Sequence, residues 1–364
     1  MPSLALMIDS RHEAALALLA QGRRDEGVQM LRQAARAGHV PSMTALGREL
    51  LSGQIVRADT ELGILLILDA AKRGGGEACA IAANLCAWGY SGRPDWPRAL
   101  DYLQRAAELG FQPARAQLRL LSGYQAGIDW KKLRRAVDAA AWWKLPPRVT
   151  LCEEPLIQAA PGLIPPRLCE ALIELARPRL APAKLEGGDV AYDVRHHSSV
   201  AFLLADTDLV VQAVHDRVCA LVGVPAVRSE ILQLLHYKPG DFFAPHHDFL
   251  DPGYDGHLDG LSQQGQRNHT ILVYLNHEGL EGGETDFPEL GLRHRGKTGD
   301  ALLWRNVDLA GQPDRRTIHA GLPPIRGEKW VLSVWVRDRV PSGYDDPRIL
   351  TALASPAEQA KRTN

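Results

Sequence analysis

The chain has few of the features that mark disulfide-rich, zinc-binding or nucleic-acid-binding proteins. Its five cysteines are odd in number and none forms a Cys-x-x-Cys pair, so neither a disulfide framework nor a cysteine zinc site is expected. Its 42 basic and 43 acidic residues nearly cancel, and no dense basic run offers a surface to nucleic acid or anionic lipid. The sequence therefore predicts reduced, mostly buried thiols and no nucleic-acid partner.

Long hydrophobic runs are also missing. The longest apolar run, near Leu62–Leu68, is far shorter than the roughly 20 residues that span a bilayer. The first residues lack a basic stretch followed by an apolar one, so no signal peptide is predicted. At 364 residues, the chain is long enough for two or three domains with a sizeable core. We expect a cytoplasmic protein that does not use a membrane.

The first third of the chain repeats a short motif every 36 residues. Each copy has an apolar residue, an alanine pair and a glycine: Leu31, Ala34-Ala35 and Gly38; Ile67, Ala70-Ala71 and Gly74; Leu103, Ala106-Ala107 and Gly110. Glycine after small residues marks a helix end, and this period is typical of an α-solenoid with two helices per unit. The units resemble Sel1-like repeats, relatives of tetratricopeptide repeats. They predict helical hairpins over residues 1–122, either as a surface for a peptide or protein partner or as a scaffold.

Residues 123–148 are expected to connect two domains. One helix is predicted over 129–144 and ends at Pro146 and Pro147. The tryptophans at 130, 142 and 143 are expected to pack the solenoid against the next domain. A tail over 341–364 has room for one short helix and has no assigned function.

From residue 149 to 340 the pattern changes to short β-rich runs. Helices are predicted first, at Pro165–Ala176 and Thr207–Leu221. The predicted strands follow, at Glu230–Tyr237, Thr270–Leu275, Ala301–Trp304, Arg316–His319 and Lys329–Arg337. Gly, Pro and Asp turns separate these strands, which indicates an antiparallel β-sandwich or barrel.

A His-x-Asp pair and a distant histidine carry the chemistry. His246 and Asp248 can face one point from an extended strand, and a second strand can bring His319 to the same point. His247 points to the other strand face and is not expected to be a ligand. Two imidazoles and one carboxylate leave metal positions open for a co-substrate and O₂, as in non-heme Fe(II) oxygenases. Zinc accepts the same donors, although the His-Glu-x-x-His motif of many zinc hydrolases is absent.

Further motifs follow one another between residues 149 and 339. They are Gly265-Gln266-Arg267, Tyr274-Leu275-Asn276, Gly282-Gly283-Glu284-Thr285-x-Phe287-Pro288, Gly299-Asp300-Ala301-Leu302 and His319-Ala320-Gly321. In this order they resemble the prolyl 4-hydroxylase family of Fe(II)/2-oxoglutarate-dependent dioxygenases, whose fold is a double-stranded β-helix, or jelly roll. The expected fold class is therefore multidomain α + β, with an N-terminal α-solenoid and a C-terminal jelly roll with flanking helices.

The resemblance assigns roles to individual residues. It implies that His246, Asp248 and His319 hold Fe(II) and form the catalytic centre. A buried carboxylate of 2-oxoglutarate needs a cation, for which the resemblance offers Lys329, and hydroxyl donors, for which it offers Tyr237 and Thr285. Tyr274 is either a further donor or a residue of the core. Substrate-lining roles fall to Arg267, Trp335 and Phe243, the last standing where the family has tyrosine. Loops 185–200 and 250–268 are expected to close over the substrate as mobile segments.

The implied reaction couples oxidative decarboxylation of 2-oxoglutarate, with release of succinate and CO₂, to hydroxylation of an unactivated C–H bond. Ascorbate is the expected reductant. The leading interpretation is a hydroxylase of a prolyl residue in a peptide or protein. One alternative is a hydroxylase of a free amino acid or small molecule in specialised metabolism. Another is a catalytically silent adaptor that senses oxygen or 2-oxoglutarate through its repeats.

Overall fold

The computed structural model describes residues 4–53, 55–90, 93–124, 129–183, 195–202 and 208–340. These residues form two compact units. The first holds the described residues up to Asp138, together with Asp208 and Leu209, and the second holds the rest. The finer boundaries at 122 and 148 stay predictions, and the tail 341–364 lies outside the described residues.

The first unit consists of helical hairpins. Its helices are α1 (Leu4–Ala20), α2 (Arg24–Arg36), α3 (Val40–Ser52), α4 (Thr60–Lys72), α5 (Gly76–Trp88), α6 (Trp96–Glu108), α7 (Gln112–Ser122) and α8 (Trp130–Ala136). The bounds of α2, α4 and α6 recur at intervals of 36 residues, and those of α3 and α5 do the same. The predicted repeat is therefore confirmed.

Two positions of the repeat explain why the hairpins form. Leu31, Ile67 and Leu103 are fully buried, so each unit places one large apolar side chain in the shared core. Gly38, Gly74 and Gly110 follow the first helix of each hairpin with φ of 82°, 90° and 91°. This left-handed conformation ends a helix and favours glycine, which lets the chain turn into the next helix.

The second unit is rich in β-strands. Its helices are α9 (Ala139–Trp143), α10 (Pro166–Ala176), α11 (Leu209–Ala220, whose first residue groups with the first unit) and α12 (Asp255–Gln264). Its strands are β1 (Val149–Cys152), β2 (Ile157–Ala160), β3 (Ala181–Pro182), β4 (Arg195–His196), β5 (Ser198–Ala201), β6 (Gln233–Tyr237), β7 (Phe242–His246), β8 (Arg267–Tyr274), β9 (Glu281–Gly282), β10 (Thr285–Phe287), β11 (Leu292–His294), β12 (Ala301–Arg305), β13 (His319–Gly321), β14 (Pro324–Arg326) and β15 (Lys329–Arg337).

The strands build two main antiparallel sheets. The larger has the order β1-β2-β12-β8-β15-β6-β5-β3, and the smaller has the order β11-β10-β13-β7-β4. Large side chains from both sheets pack together, as where the Phe287 ring meets Trp304 edge to face at 5.2 Å. Two sheets packed over a shared interior form the expected jelly roll.

The structure corrects several predicted elements. Residues 129–144 form two short helices, because the backbone becomes extended at Val137. Arg316–His319 is not one strand: a 3₁₀ turn spans Arg315–Thr317, since the Asp314 side chain accepts from the Arg316 N–H, and strand β13 starts only at His319. The strand predicted from Glu230 begins at Gln233. Strand β15 has the predicted bounds.

The expected loops over the site also differ. Segment 250–268 contains helix α12, although its Gly and Asp content suggested an irregular lid; Gly265, with φ of 77°, ends that helix. Residues 185–194 of the other expected loop, 185–200, lie outside the described residues.

The cysteines are free and mostly buried, as predicted. All five cysteines are free and four are buried, and burial raises the pKa of the Cys169 and Cys219 thiols to about 12. No described helix combines the length and apolar content that crossing a bilayer requires. The cytoplasmic location stays a prediction.

Candidate metal centre and co-substrate pocket

Strands β7 and β13 bring the predicted metal ligands together. The two strands pair with His319 opposite His246, and Asp248 lies two residues past the end of β7. His246 Nε2 is 3.6 Å from Asp248 Oδ1, and His319 Nε2 is 3.5 Å from Asp248 Oδ2. One donor atom from each residue lies within 4.8 Å of the other two. Two nitrogens and one carboxylate oxygen this close fit a two-histidine, one-carboxylate iron site.

Backbone carbonyls orient both imidazoles. His246 Nδ1 is 2.8 Å from the Ala244 carbonyl oxygen, and His319 Nδ1 is 3.0 Å from the Thr317 carbonyl oxygen. In each case Nδ1–H donates, which leaves Nε2 as the lone-pair nitrogen that faces Asp248. Burial lowers the pKa of His319 to about 4, so its imidazole is neutral at pH 7, as a metal ligand must be.

Two further buried side chains hold Asp248. The Thr270 hydroxyl donates to Asp248 Oδ2 over 2.7 Å, and the Asn306 amide donates to Thr270 Oγ1 over 2.9 Å. The amide nitrogen can only donate, so the threonine proton must point to the carboxylate. Burial opposes ionisation of Asp248, but His319, His246 and Thr270 outweigh it and keep its pKa below the usual range. The carboxylate is therefore anionic and fixed in direction.

Lys329 lies on the same cavity as the metal cluster. It is only 3% exposed, and its Nζ is 5.0 Å from the centre of the Tyr237 ring. Within the described residues no carboxylate oxygen lies within 4 Å of it. Burial lowers its pKa to about 8, and Glu284 opposes that change. A buried ammonium without an acidic partner fits an anionic ligand such as the distal carboxylate of 2-oxoglutarate.

The predicted hydroxyl donors differ in position. Tyr237 and Thr285 line the cavity with Lys329, and both are buried. Tyr274 belongs to the apolar core between the sheets; its hydroxyl is 3.0 Å from Thr285 Oγ1 and also donates to the His294 carbonyl. Tyr237 and Thr285 therefore line the pocket, whereas Tyr274 lies in the core and hydrogen-bonds to Thr285.

Two of the three predicted substrate residues line the cavity, and the third packs on one of them. Phe243 lines it and stacks on His246, with ring centres 3.6 Å apart. Trp335 lines it too, and the Arg267 guanidinium lies 4.5 Å above the Trp335 ring. Glu230 holds Arg267 in a two-point ion pair with distances of 2.5 and 2.8 Å. Each of these roles stays a prediction, although the residues are grouped as expected.

Some residues near the site were not identified from the sequence. Thr270 and Asn306 act through Asp248, and no local pattern signals their contact. His197, which is buried, stacks on Tyr237 and carries a pKa lowered to about 3 by burial. His247 lies outside the cluster, as expected, because its Nε2 bonds to the Arg315 carbonyl.

Known proteins are similar in sequence to the C-terminal half of the chain. Residues 232–337 match the family model of the 2OG-Fe(II) oxygenase superfamily. Prolyl 4-hydroxylase 1 of Arabidopsis thaliana is 33% identical over 206 residues, which cover 52% of this chain and 71% of that protein.

Two solved structures are similar to portions of the chain. The viral collagen prolyl hydroxylase of Paramecium Bursaria Chlorella virus-1, in its 2OG complex, is 25% identical, with 51% of this chain and 98% of that chain covered and a TM-score of 0.41. A Sel1 repeat protein from Oxalobacter formigenes is 23% identical, with 37% and 61% covered and a TM-score of 0.30. On the sequence identity to its plant relative, the chain belongs to the prolyl 4-hydroxylase family of 2-oxoglutarate- and Fe(II)-dependent dioxygenases.

Proposed function

We propose that this protein hydroxylates a prolyl residue of a peptide or protein substrate. The observation that carries the proposal is one cavity lined by His246, Asp248 and His319 and by the buried Lys329, which pairs with no carboxylate in the described parts of the chain. Relatives named as prolyl 4-hydroxylases support the choice of proline.

One group of site residues would bind the metal, and another would bind the co-substrate. His246, Asp248 and His319 would hold Fe(II), and Lys329 with Tyr237 and Thr285 would bind the distal carboxylate of 2-oxoglutarate. When bound, iron and 2-oxoglutarate supply the oxidising chemistry that converts a C–H bond to an alcohol, with release of succinate and CO₂. The apolar rings of Phe243 and Trp304 pack against His246 and His319, respectively, and cover one face of each imidazole.

Substrate recognition falls to the pair of Arg267 and Trp335. The guanidinium is aimed by Glu230 and offers hydrogen bonds to peptide carbonyls, while the indole offers a flat apolar face for a proline ring. The helical repeats would add a second contact for a longer substrate or hold a protein partner. Ascorbate would reduce iron that has been oxidised in turnovers without substrate.

The test is succinate release from 2-oxoglutarate, Fe(II) and ascorbate with proline-containing peptides of increasing length. We expect turnover with a peptide and none with Asp248→Ala, because that variant loses the one anionic ligand. A lower KM for long peptides at constant kcat would support a peptide contact on the repeats. Full activity of Asp248→Ala would contradict the metal site.

A free amino acid is the second candidate substrate. Phe243 favours it, because a phenyl ring stacked on His246 lacks the hydroxyl that would bind a peptide group. Succinate release with free amino acids, and none with any peptide of the series, would select this alternative.

A further inference from the structure

A second cavity lies in the C-terminal unit, away from the metal cluster. Its volume is about 590 Å³, within the range of small-molecule sites, and strands β2, β8 and β12 contribute to its wall. His269 and Arg305 line it, and His269 is the neighbour in sequence of Thr270, which does not line it and bonds to Asp248 of the metal cluster. Successive residues of a strand face opposite sides, so the cavity lies on the outer face of the large sheet.

Basic groups converge on this cavity without acidic ones. Arg148, Arg305 and His269 are among its lining residues, and none of the described lining residues is Asp or Glu. Across the described parts of the chain, neither guanidinium has a carboxylate oxygen within 4 Å. Elsewhere in the unit, arginines such as Arg267 and Arg316 pair with carboxylates at 2.5 to 2.7 Å. The cavity therefore holds an uncompensated positive charge.

Backbone contacts hold both guanidiniums in place. Arg148 donates from one terminal nitrogen to the Leu221 carbonyl, and Arg305 donates from one terminal nitrogen to the Asp308 carbonyl. The Nε of Arg305 is shielded from solvent and has no hydrogen-bond partner among the described residues. An N–H in this state is destabilising unless an acceptor reaches it. Arg305 is thus positioned before any ligand arrives.

The pKa of His269 reflects the nearby arginines of this cavity. The pKa of His269 is lowered to about 4, first by burial and then by Arg305, Arg148 and Arg228. At neutral pH the ring is uncharged, so it adds a hydrogen-bond donor without adding repulsion between cations.

We propose that this cavity binds a small organic anion through Arg305, Arg148 and His269. A carboxylate or phosphate group would accept hydrogen bonds from the two guanidiniums, and an apolar remainder would lie against Leu145, Leu221 and Leu303. The site is separate from Lys329 and the metal cluster, and it does not depend on the proposed hydroxylation.

The test uses two probes with the same apolar ring, benzoate and phenyl phosphate, titrated into the full-length protein by calorimetry. We expect at least one to bind in the millimolar range or tighter, with the preferred probe identifying the anionic group. Arg305→Gln should weaken binding by about tenfold or more, the scale of one lost charge-assisted hydrogen bond, and Arg148→Gln should weaken it less because Arg148 is exposed. Arg326→Gln, which removes an exposed arginine elsewhere in the unit, should change nothing.

Two further measurements keep the outcome decisive. In the unaltered protein, the ring signals of His269 should shift in NMR spectra as the probe is added, which requires no variant to fold. Lys329→Ala should bind the probe as the unaltered protein does. Absence of binding by both probes, binding that Arg305→Gln leaves unchanged, or saturation without a shift at His269 would each overturn the proposal. Loss of binding in Lys329→Ala alone would assign the anion to the co-substrate pocket and overturn it too.

Discussion

At the residue scale, the buried lysine makes co-substrate binding depend on pH. Lys329 has a pKa of about 8, so the free protein carries an ammonium below that pH and a neutral amine above it. Because the co-substrate is an anion, its affinity should be constant below pH 8 and fall by about tenfold per pH unit above it. Measuring 2-oxoglutarate binding with Mn(II) between pH 6.5 and 9.5 tests this.

Two variants separate the lysine from other titrating groups. Lys329→Arg should bind more weakly at pH 7 but lose the pH dependence, since a guanidinium stays charged. Lys329→Ala should weaken binding by about 3–5 kcal/mol, the usual effect of removing one partner of a buried charge pair. Unchanged affinity in Lys329→Ala would mean that another cation binds the co-substrate.

Thr270 should control how tightly the cluster holds its metal. Thr270→Val keeps the shape of the side chain but removes the hydroxyl that donates to Asp248 and leaves the Asn306 amide without its acceptor. We expect metal affinity to fall by about 10- to 100-fold, as for other residues that orient a ligand. Direct Mn(II) titration is the measurement, with Thr270→Ser as the control that restores the hydroxyl. Equal metal affinity in Thr270→Val and the unaltered protein would show that the contact has no positioning role.

At the element scale, two turn glycines are required for different reasons. Gly240 is required only for its left-handed backbone angle, whereas Gly299 is also required because a side chain would collide with the backbone. Gly240 precedes β7 with φ of 87° and no atom within 4 Å of an added Cβ, whereas at Gly299, with φ of 88°, an added Cβ would lie 2.0 Å from the Ile164 carbonyl oxygen. Gly240→Ala should therefore destabilise by about 1–2 kcal/mol, the usual strain of a left-handed alanine. Gly299→Ala should lower the free energy of unfolding by considerably more, because backbone must move. Urea denaturation of the two variants compares them, and equal losses would contradict the steric explanation.

Elements with a strong local pattern could be predicted from the sequence. The 36-residue period located the hairpins because each unit repeats the same buried apolar residue and the same turn glycine. The sequence predicts the bounds of strand β15, since a run rich in tryptophan and valine stands between a Gly-Glu turn and a charged end. The sequence does not predict helix α12, because two glycines and two aspartates stand among its ten residues and both types have low helix propensity.

Contacts across strands could not be predicted in this way. Thr270 lies 22 residues from Asp248 and 36 from Asn306, so their hydrogen bonds depend on strand order and register rather than on spacing. The metal ligands were recognisable only because their residue types are rare together. Arg148 and Arg305 are ordinary arginines in the sequence, and only the fold brings them to one cavity.

At the scale of the whole molecule, buried neutral histidines should make the C-terminal unit sensitive to mild acid. Burial lowers the pKa of His197 to about 3 and that of His215 and His269 to about 4, against 6.5 in the unfolded chain. Between these values the unfolded state binds more protons, so stability is full above pH 6.5 and falls as the pH drops. At pH 5 each histidine should remove up to about 2 kcal/mol.

Denaturant unfolding at pH 7 and pH 5 measures this loss. Both pH values lie above the range in which most carboxylates titrate. His215 offers the matched variant, because its Nε2 lies 2.6 Å from the Ser229 hydroxyl and a Gln side chain can replace that hydrogen bond. His215→Gln should show a smaller drop between the two pH values. Equal stability of the unaltered protein at pH 7 and pH 5 would contradict the expectation.

The helical repeat also determines how the chain can change in length. Helices α2, α4 and α6 begin 36 residues apart, so each hairpin presents its successor with the same kind of surface. Contacts in such an array are made between neighbours, and its stability is close to a sum over units and junctions. Excision of residues 60–95 would place α6 where α4 now begins and recreate a junction of the same type. We therefore expect the array to accept the gain or loss of a whole 36-residue unit, whereas a deletion of any other length would bring unlike helix faces together.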